Sequence, residues 1–344
     1  MSKTNLTRAS HELFSREPDE RYPSLTSLMD HCRQQRDDSR ELWWQPDQLA
    51  TQAVDVLDLK LAGGDGAELK MTDWSFTQLC SLCRVHKGTV NRLRANTAAQ
   101  IFKETMPSTG KPMQVLATDE KARAIHGASY TRLYNSELLD VVAESADGFE
   151  PPPKGFNGAT GLYCGDEDLF CFLIDPNGWI DINGEQFAPG MFCWNSEVGK
   201  RSIGVQTFWY QRICGNHIVW DAVEVVEFSR KHTANVRESL SEVRDIICRL
   251  VKRRDERRDG FAKVIKTAMG TRFANSAEDA VFELTKHGFA RTLATKSIDY
   301  ASERGSLTVF SVVDALTRLT QKMVNAGDRT ALDQKAARLL SLAV

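Results

Sequence analysis

The sequence predicts an α+β protein: a central antiparallel β-meander flanked by helices, with helical N-terminal and C-terminal regions. Three observations predict it. Between residues 161 and 228, runs rich in β-branched and aromatic residues alternate with Gly and Asn turns. From Phe228 to Lys266 the residues Val236, Leu240, Val243, Ile247, Leu250 and Val251 recur at helical spacing, with Arg and Lys on the other side. Upstream, Phe76, Leu79, Leu82 and Cys83, then Val85, Val90 and Leu93, divide into two short helical patterns around a bend.

The 344 residues suffice for a substantial core and suggest more than one structural unit. We divide the chain into an acidic, mobile tail with a short helix (1–40), a helical region (41–112), an α+β core holding the sheet (113–228) and a helical C-terminal region (229–344). Composition is that of an ordinary soluble protein, 42% hydrophobic and 26% charged with mean hydropathy −0.37. No apolar run approaches the roughly 18–20 residues that span a bilayer. The opening MSKTNLTRASHELFSREPDERYPS also lacks the apolar centre of a secretory signal. A cytoplasmic protein without a membrane partner is expected. The eight cysteines are spread through apolar runs, the pattern of free thiols rather than a disulfide framework.

Net charge is −2, but it is unevenly spread. Residues 1–68 carry 13 Asp/Glu against 8 Lys/Arg, and residues 229–272 carry 13 Lys/Arg against 6 Asp/Glu. Such a basic segment makes either a solvated helix face or a phosphate-attracting one.

In chain order, Leu49 to Leu61 has mixed spacing and fits helix or strand, and GGDG at 63–66 is a turn without P-loop spacing. The 75–93 segment resembles a helix-turn-helix, with Lys87, Thr89, Asn91 and Arg92 as candidate groove contacts. The competing reading is a helical hairpin that only packs. Arg84 occupies the turn position usually given to Gly, where a left-handed backbone costs about 1 kcal/mol or more. Cys80 and Cys83 form a lone Cys-x-x-Cys without the further ligands zinc requires, so core packing is expected. Met113 to Ser145 reads as an extended stretch, a link and a helix capped by Asn135-Ser136. Lys121, Arg123, Tyr130 and Arg132 gather ahead of that helix as a candidate anion site. DGFEPPPKGFNGATG at 147–161 is a loop, since three prolines remove donors and fix φ. A Pro-Asn-Gly turn at 176–178 and a Val198-Gly199-Lys200 turn punctuate the meander. The segment from Ser276 to Gly288 is a helix with marked start and stop.

For chemistry, no metal-spaced ligand set, no Gly-x-Ser-x-Gly elbow and no cofactor motif appears, so no catalytic residue, metal or cofactor is assigned. Glu197, Cys214 and His217 could meet across a hairpin, either as a structural contact or as a reactive pocket. For binding, Lys200, Arg201 and Arg212 lie near Trp209 and Trp194. Strand alternation puts Phe208 and Tyr210 on one face and Trp209 on the other. An exposed Trp209 beside cations would suit base stacking in single strands, whereas a covered one would be core. The basic helix adds Arg249, Lys252, Arg253, Arg254, Arg257 and Arg258.

NSEVGKRSIGV, followed by FWYQRICGNHIV and preceded by RAIHGASYTRLYNSELL, resembles the phage- and plasmid-associated family catalogued as domain of unknown function 932. The likeness extends from about Phe76 to Phe228 and more loosely through the C-terminal helices, with His217 standing where a Gly belongs. The resemblance implies a mobile-element setting and no established chemistry. The combined expectation is non-enzymatic nucleic-acid binding, with single-stranded DNA favoured and annealing in recombination as the role. The alternative is a protein-interaction module that antagonises host defence. Self-association is a further partner the sequence allows.

Overall fold

The structure, a computed structural model, describes residues 19–108, 110–153, 160–212, 216–218, 228–233, 235–252 and 254–343, with 216–218, 228–230 and 254–257 described through their backbone. Expectations for the tail at 1–18, for Cys214 and for Arg253 fall outside these residues, as do those for the side chains of His217, Arg254 and Arg257.

The chain opens with β1 (Glu20–Arg21) and α1 (Leu25–Asp37), whose Ser24 cap receives the Ser27 N–H at 3.1 Å. Four short strands follow: β2 (Ser39–Trp44), β3 (Ala50–Ala53), β4 (Leu59–Ala62) and β5 (Glu68–Met71). The helical region expected over 41–112 is therefore corrected, because strands fill it as far as Met71. Each is four to six residues long and apolar on one side only, too short for either period to declare itself. Then come α2 (Asp73–Leu82), α3 (Lys87–Val90) and α4 (Ala95–Thr105), followed by β6 (Met113–Thr118) and β7 (Lys121–Gly127), two strands where the sequence suggested one. The first sheet runs β2-β6-β7-β5-β4-β3, antiparallel except where β5 pairs with β7. Leu59, Leu61, Leu69, Met71, Val115, Ala117 and Ile125 press its apolar face onto Phe76, Leu79 and Phe102 of α2 and α4.

A linking helix α5 (Asn135–Ser145) leads to the meander: β8 (Leu162–Cys164), β9 (Leu169–Ile174), β10 (Ile180–Ile182), β11 (Glu185–Asn195), β12 (Ile203–Gln211), β13 (Asn216–Ile218) and β14 (Phe228–Arg230). The order is β1-β8-β9-β11-β12-β13, with β10 on β11 and β14 on β12, all antiparallel. Asn183 and Gly184, at φ 54° and 85°, make the two-residue turn between β10 and β11. Helix begins at α6 (Glu238–Lys252) rather than at Phe228, which is paired in β14. The rest is α7 (Arg254–Gly270), α8 (Ala277–Lys286), α9 (Arg291–Glu303), α10 (Val309–Thr320) and α11 (Ala326–Ala337). Ser276 caps α8, and Gly288 at φ 79° follows its end, as the sequence signals required.

Every residue of β9 and β12 is buried, which follows from helices on one face and close packing on the other. On one side Val205, Met191 and Cys193 meet α5 and α6, while Phe187 and Trp209 meet α7 and α10. Phe170, Phe172, Phe192, Trp194, Phe208 and Tyr210 fill the opposite side. The α+β class with a central antiparallel meander therefore holds. The seven described cysteines are free thiols.

Candidate functional site

The end of β11 and the turn after it deliver Asn195, Ser196 and Glu197 into the space between the two sheets, where all three are at most 1% exposed. A carboxylate buried that deeply needs full compensation, and Glu197 has it. Its Oε2 accepts from Arg123 Nη1 at 2.8 Å, and its Oε1 accepts the backbone N–H of Asn135 at 2.8 Å. Asn135 opens α5, so Glu197 sits where the helix presents free N–H groups and a positive dipole end. It supplies the cap expected from Asn135-Ser136, a correction in which a distant residue wins over the local pair.

Arg132 carries the junction into the first sheet. Its Nη1 donates to the Glu197 carbonyl, its Nη2 to Gln114 Oε1 at 2.8 Å and its Nε to Glu41 Oε1 at 2.9 Å. Gln114 Nε2 closes the circuit on Glu41 Oε2 at 2.9 Å. Asn195 Nδ2 donates to the Leu133 carbonyl and to Asn135 Oδ1, each at 2.9 Å. Arg123, Tyr130 and Arg132 do gather into one cluster, and all three bond Glu197, Arg123 at the carboxylate and the other two at the backbone carbonyl. Lys121 stays outside it, exposed on β7.

Beside the junction His126 lies flat on Tyr130 at 3.7 Å, with His232 beyond at 5.4 Å. Gly199, at φ 73°, lets the turn pass this column, since a Cβ there would come within 2.6 Å of His126 Nε2. Burial, then the Arg132 charge, pushes the His126 imidazole down to about 3, and burial pushes His232 down to about 4. Burial raises the Tyr130 phenol, whose hydroxyl donates toward the Glu197 carbonyl at 3.1 Å. Both histidines are neutral near pH 7, and both Glu197 oxygens are engaged. The cluster holds two sheets and a helix together and presents no open face to a substrate. Among the described residues no three His, Cys, Asp or Glu side chains could hold a metal ion.

The turn cations are not free. Lys200 Nζ lies 3.5 Å from buried Glu167 and 4.3 Å from the Trp74 ring. Arg201 Nε bonds Asp168 Oδ2 at 2.7 Å, and its Nη2 lies 3.5 Å from Asp328 in the first turn of α11. Trp209 is 3% exposed and stacks on Phe261 of α7 at 4.1 Å, and Trp194 is buried too. The expected surface of turn cations beside an open ring is corrected. Alternation does turn Trp209 away from Phe208 and Tyr210, but α7 covers the face it turns to. Arg212 is exposed, bonded to Gln186 at 3.2 Å and placed over Trp179 at 5.5 Å. On the basic helices Arg249 and Lys252 are exposed, while half-buried Arg258 lies 3.3 Å from Asp259.

In the helix-turn-helix-like segment the turn forms despite Arg84, which takes φ 55°. The N–H of Arg84 reaches Ser81 O at 3.2 Å and that of Val85 reaches Cys80 O at 2.9 Å, which closes the end of α2. The following helix, α3, has only four residues. Lys87 is tied to Asp73 at 2.5 Å and Thr77 at 2.8 Å, and Arg92 donates to the Gly88 carbonyl at 3.1 Å. Thr89 is exposed and Asn91 half-buried. One turn of helix does not lay successive turns along a groove in the way a recognition helix does. Cys80 and Cys83 pack in the core beneath it.

Fold and junction together define the class: a two-sheet α+β protein whose sheets are joined through one buried carboxylate. The chain belongs to the family described as domain of unknown function (DUF932), whose model matches residues 124–343. That span holds Glu197, Arg132, α5, β8–β14 and α6–α11, while Arg123 stands immediately before it. The likeness expected from Phe76 therefore begins at Ala124, and most of the first sheet lies outside it. No curated protein and no solved structure matches this chain.

Proposed function

We propose that the protein binds nucleic acid without catalysing a reaction, in the cytoplasm, in the DNA metabolism of phage- or plasmid-type mobile elements. Single-stranded DNA is the favoured partner and strand annealing the role. One observation carries this reading. Arg249, Lys252, Lys263 and Lys266 on α6 and α7 are exposed and have no carboxylate partner among the described residues, unlike Lys200 and Arg201, which meet Glu167 and Asp168. Unneutralised cations along consecutive helices are what phosphates displace counterions from. A meander followed by a helix also fits annealing proteins by analogy of fold. The test is fluorescence anisotropy with a labelled oligo-dT. Affinity should fall steeply with rising salt and should weaken in Arg249→Gln/Lys252→Gln, and absence of binding at low salt would discard the reading.

A second reading, a protein-interaction module directed at host defence, is favoured by exposed apolar side chains around the first sheet: Trp43 is 50% exposed, Val54 54% and Val56 59%. Its mark would be a host protein retained by the wild type and lost in Trp43→Ala, with oligonucleotide affinity unchanged.

A further inference from the structure

The face of the first sheet turned away from α2 and α4 is covered over β6 and β7, where Leu116 and Ala124 meet Val198, but carries exposed side chains over β5 and the start of β7, and strand register places three lysines in a line across that part. Lys60 on β4 stands opposite Lys70 on β5, and Lys70 is the partner of Lys121 on β7. Their neighbours Leu59, Leu61, Leu69, Met71 and Ala122 all point into the core beneath, so the lysines share the other face. The same register continues to Gln52 on β3 and, through Thr118 on β6, to Ser39 on β2. Strands lie about 4.8 Å apart, so the three ammonium groups fall along a track about 10 Å long.

This arrangement opposes stability. Lysine is a poor strand residue, and like charges directly opposite one another repel. Lysine on an edge strand guards against unwanted pairing, but β4, β5 and β7 are interior strands of this sheet. Compensation is slight: Lys60 lies 3.6 Å from the half-exposed Glu68, and Lys70 and Lys121, both exposed, have no ion-pair partner among the described residues. The other acids nearby, Asp119 and Glu120, are exposed in the β6–β7 turn.

We infer that Lys60, Lys70 and Lys121 form a phosphate-binding row that takes the backbone of a single-stranded nucleic acid. The inference rests on the nucleic-acid reading above and adds to it a contact surface that lies before the family-matched residues. A flat sheet carrying closely spaced cations has no groove-shaped element to enter a duplex, whereas a flexible single strand can lay consecutive phosphates along it. Contact is with phosphates alone, so the row is indifferent to base sequence.

The experiment uses the full chain and labelled oligo-dT, comparing wild type, Lys60→Gln/Lys70→Gln/Lys121→Gln and Arg249→Gln/Lys252→Gln. The row variant should bind about tenfold more weakly near physiological salt, with a log–log salt slope shallower by about 2, the value for three lost single-strand phosphate contacts. Its melting temperature should hold or rise because the repulsion is gone, and the matching triple Lys→Arg variant should restore binding. Wild-type affinity and slope in the glutamine variant would overturn the row. Displacement of the oligonucleotide by polyglutamate at equal charge would overturn it too, by making an acidic polypeptide the occupant. A wild type that binds no oligonucleotide sinks the general reading and the row together. Weakening by Arg249→Gln/Lys252→Gln alone sinks only the row.

Discussion

The Glu197 junction and the lysine row use the same kinds of side chain to opposite ends. At the junction each arginine meets its own carboxylate, Arg132 that of Glu41 and Arg123 that of Glu197, the latter pair within 2.8 Å and nearly closed to water. On the row, Lys70 and Lys121 stand in register with like charge beside them and water around them. Charge that is matched and buried fixes how elements join, and charge left unmatched and exposed remains available to an external anion. The turn cations Lys200 and Arg201 look in sequence like the second kind and behave in the fold like the first.

The sharpest way to break this contrast is to empty the junction. Glu197→Ala leaves Arg123 buried without its partner and the Asn135 N–H without its acceptor, and should destabilise the protein by about 3–5 kcal/mol. Urea denaturation reads this directly, and a loss near zero would mean the junction holds nothing together.

A change of pH probes the same region less severely. A free histidine titrates near 6.5, whereas His126 and His232 are held down to about 3 and about 4. Between those values the unfolded chain binds protons that the folded chain refuses, so stability is full above about pH 6.5 and falls as pH drops. Asp333, raised by burial to about 6, works the other way and gains stability as pH falls through 6. Two histidines outweigh one carboxyl, and these three groups together should cost about 2–3 kcal/mol from pH 7 to pH 5, offset in part by His31, which its hydrogen bond with Cys164 raises. His232→Phe should flatten the dependence in urea midpoints, and an unchanged slope would place the titration elsewhere.

The smallest expected effect sharpens the other side of the comparison. Arg249→Gln and Lys252→Gln remove exposed cations that have no ion-pair partner among the described residues and should shift stability by no more than about 0.5 kcal/mol. A larger loss in thermal melts would show that these cations, too, serve the fold.

Sequence alone carried the parts of the fold that depend on neighbours along the chain. The turns at 63–66, 176–178 and 198–200, the Ser276-to-Gly288 helix and the alternation that separates Trp209 from Phe208 were legible, because backbone permissiveness and a period of two or 3.6 are local properties. The strands before Met71 were not legible. β3 and β4 become a sheet only beside β5 and β7, and β7 arrives some fifty residues later.

What the tertiary structure decided is which faces are covered and which charges meet. Nothing in the local pattern says that α7 lies over Trp209, that Asp168 and Asp328 receive Arg201, or that Glu197 caps a helix sixty residues before it. Nor does spacing along the chain put Lys60, Lys70 and Lys121 in one row, since that needs the register of three strands. The sequence determined the turns, the strands of the meander, the helix from Ser276 to Gly288 and the supply of charge. Burial and pairing came from long-range packing, because the energy of a charge depends on the solvent and partners around it rather than on its neighbours in the chain.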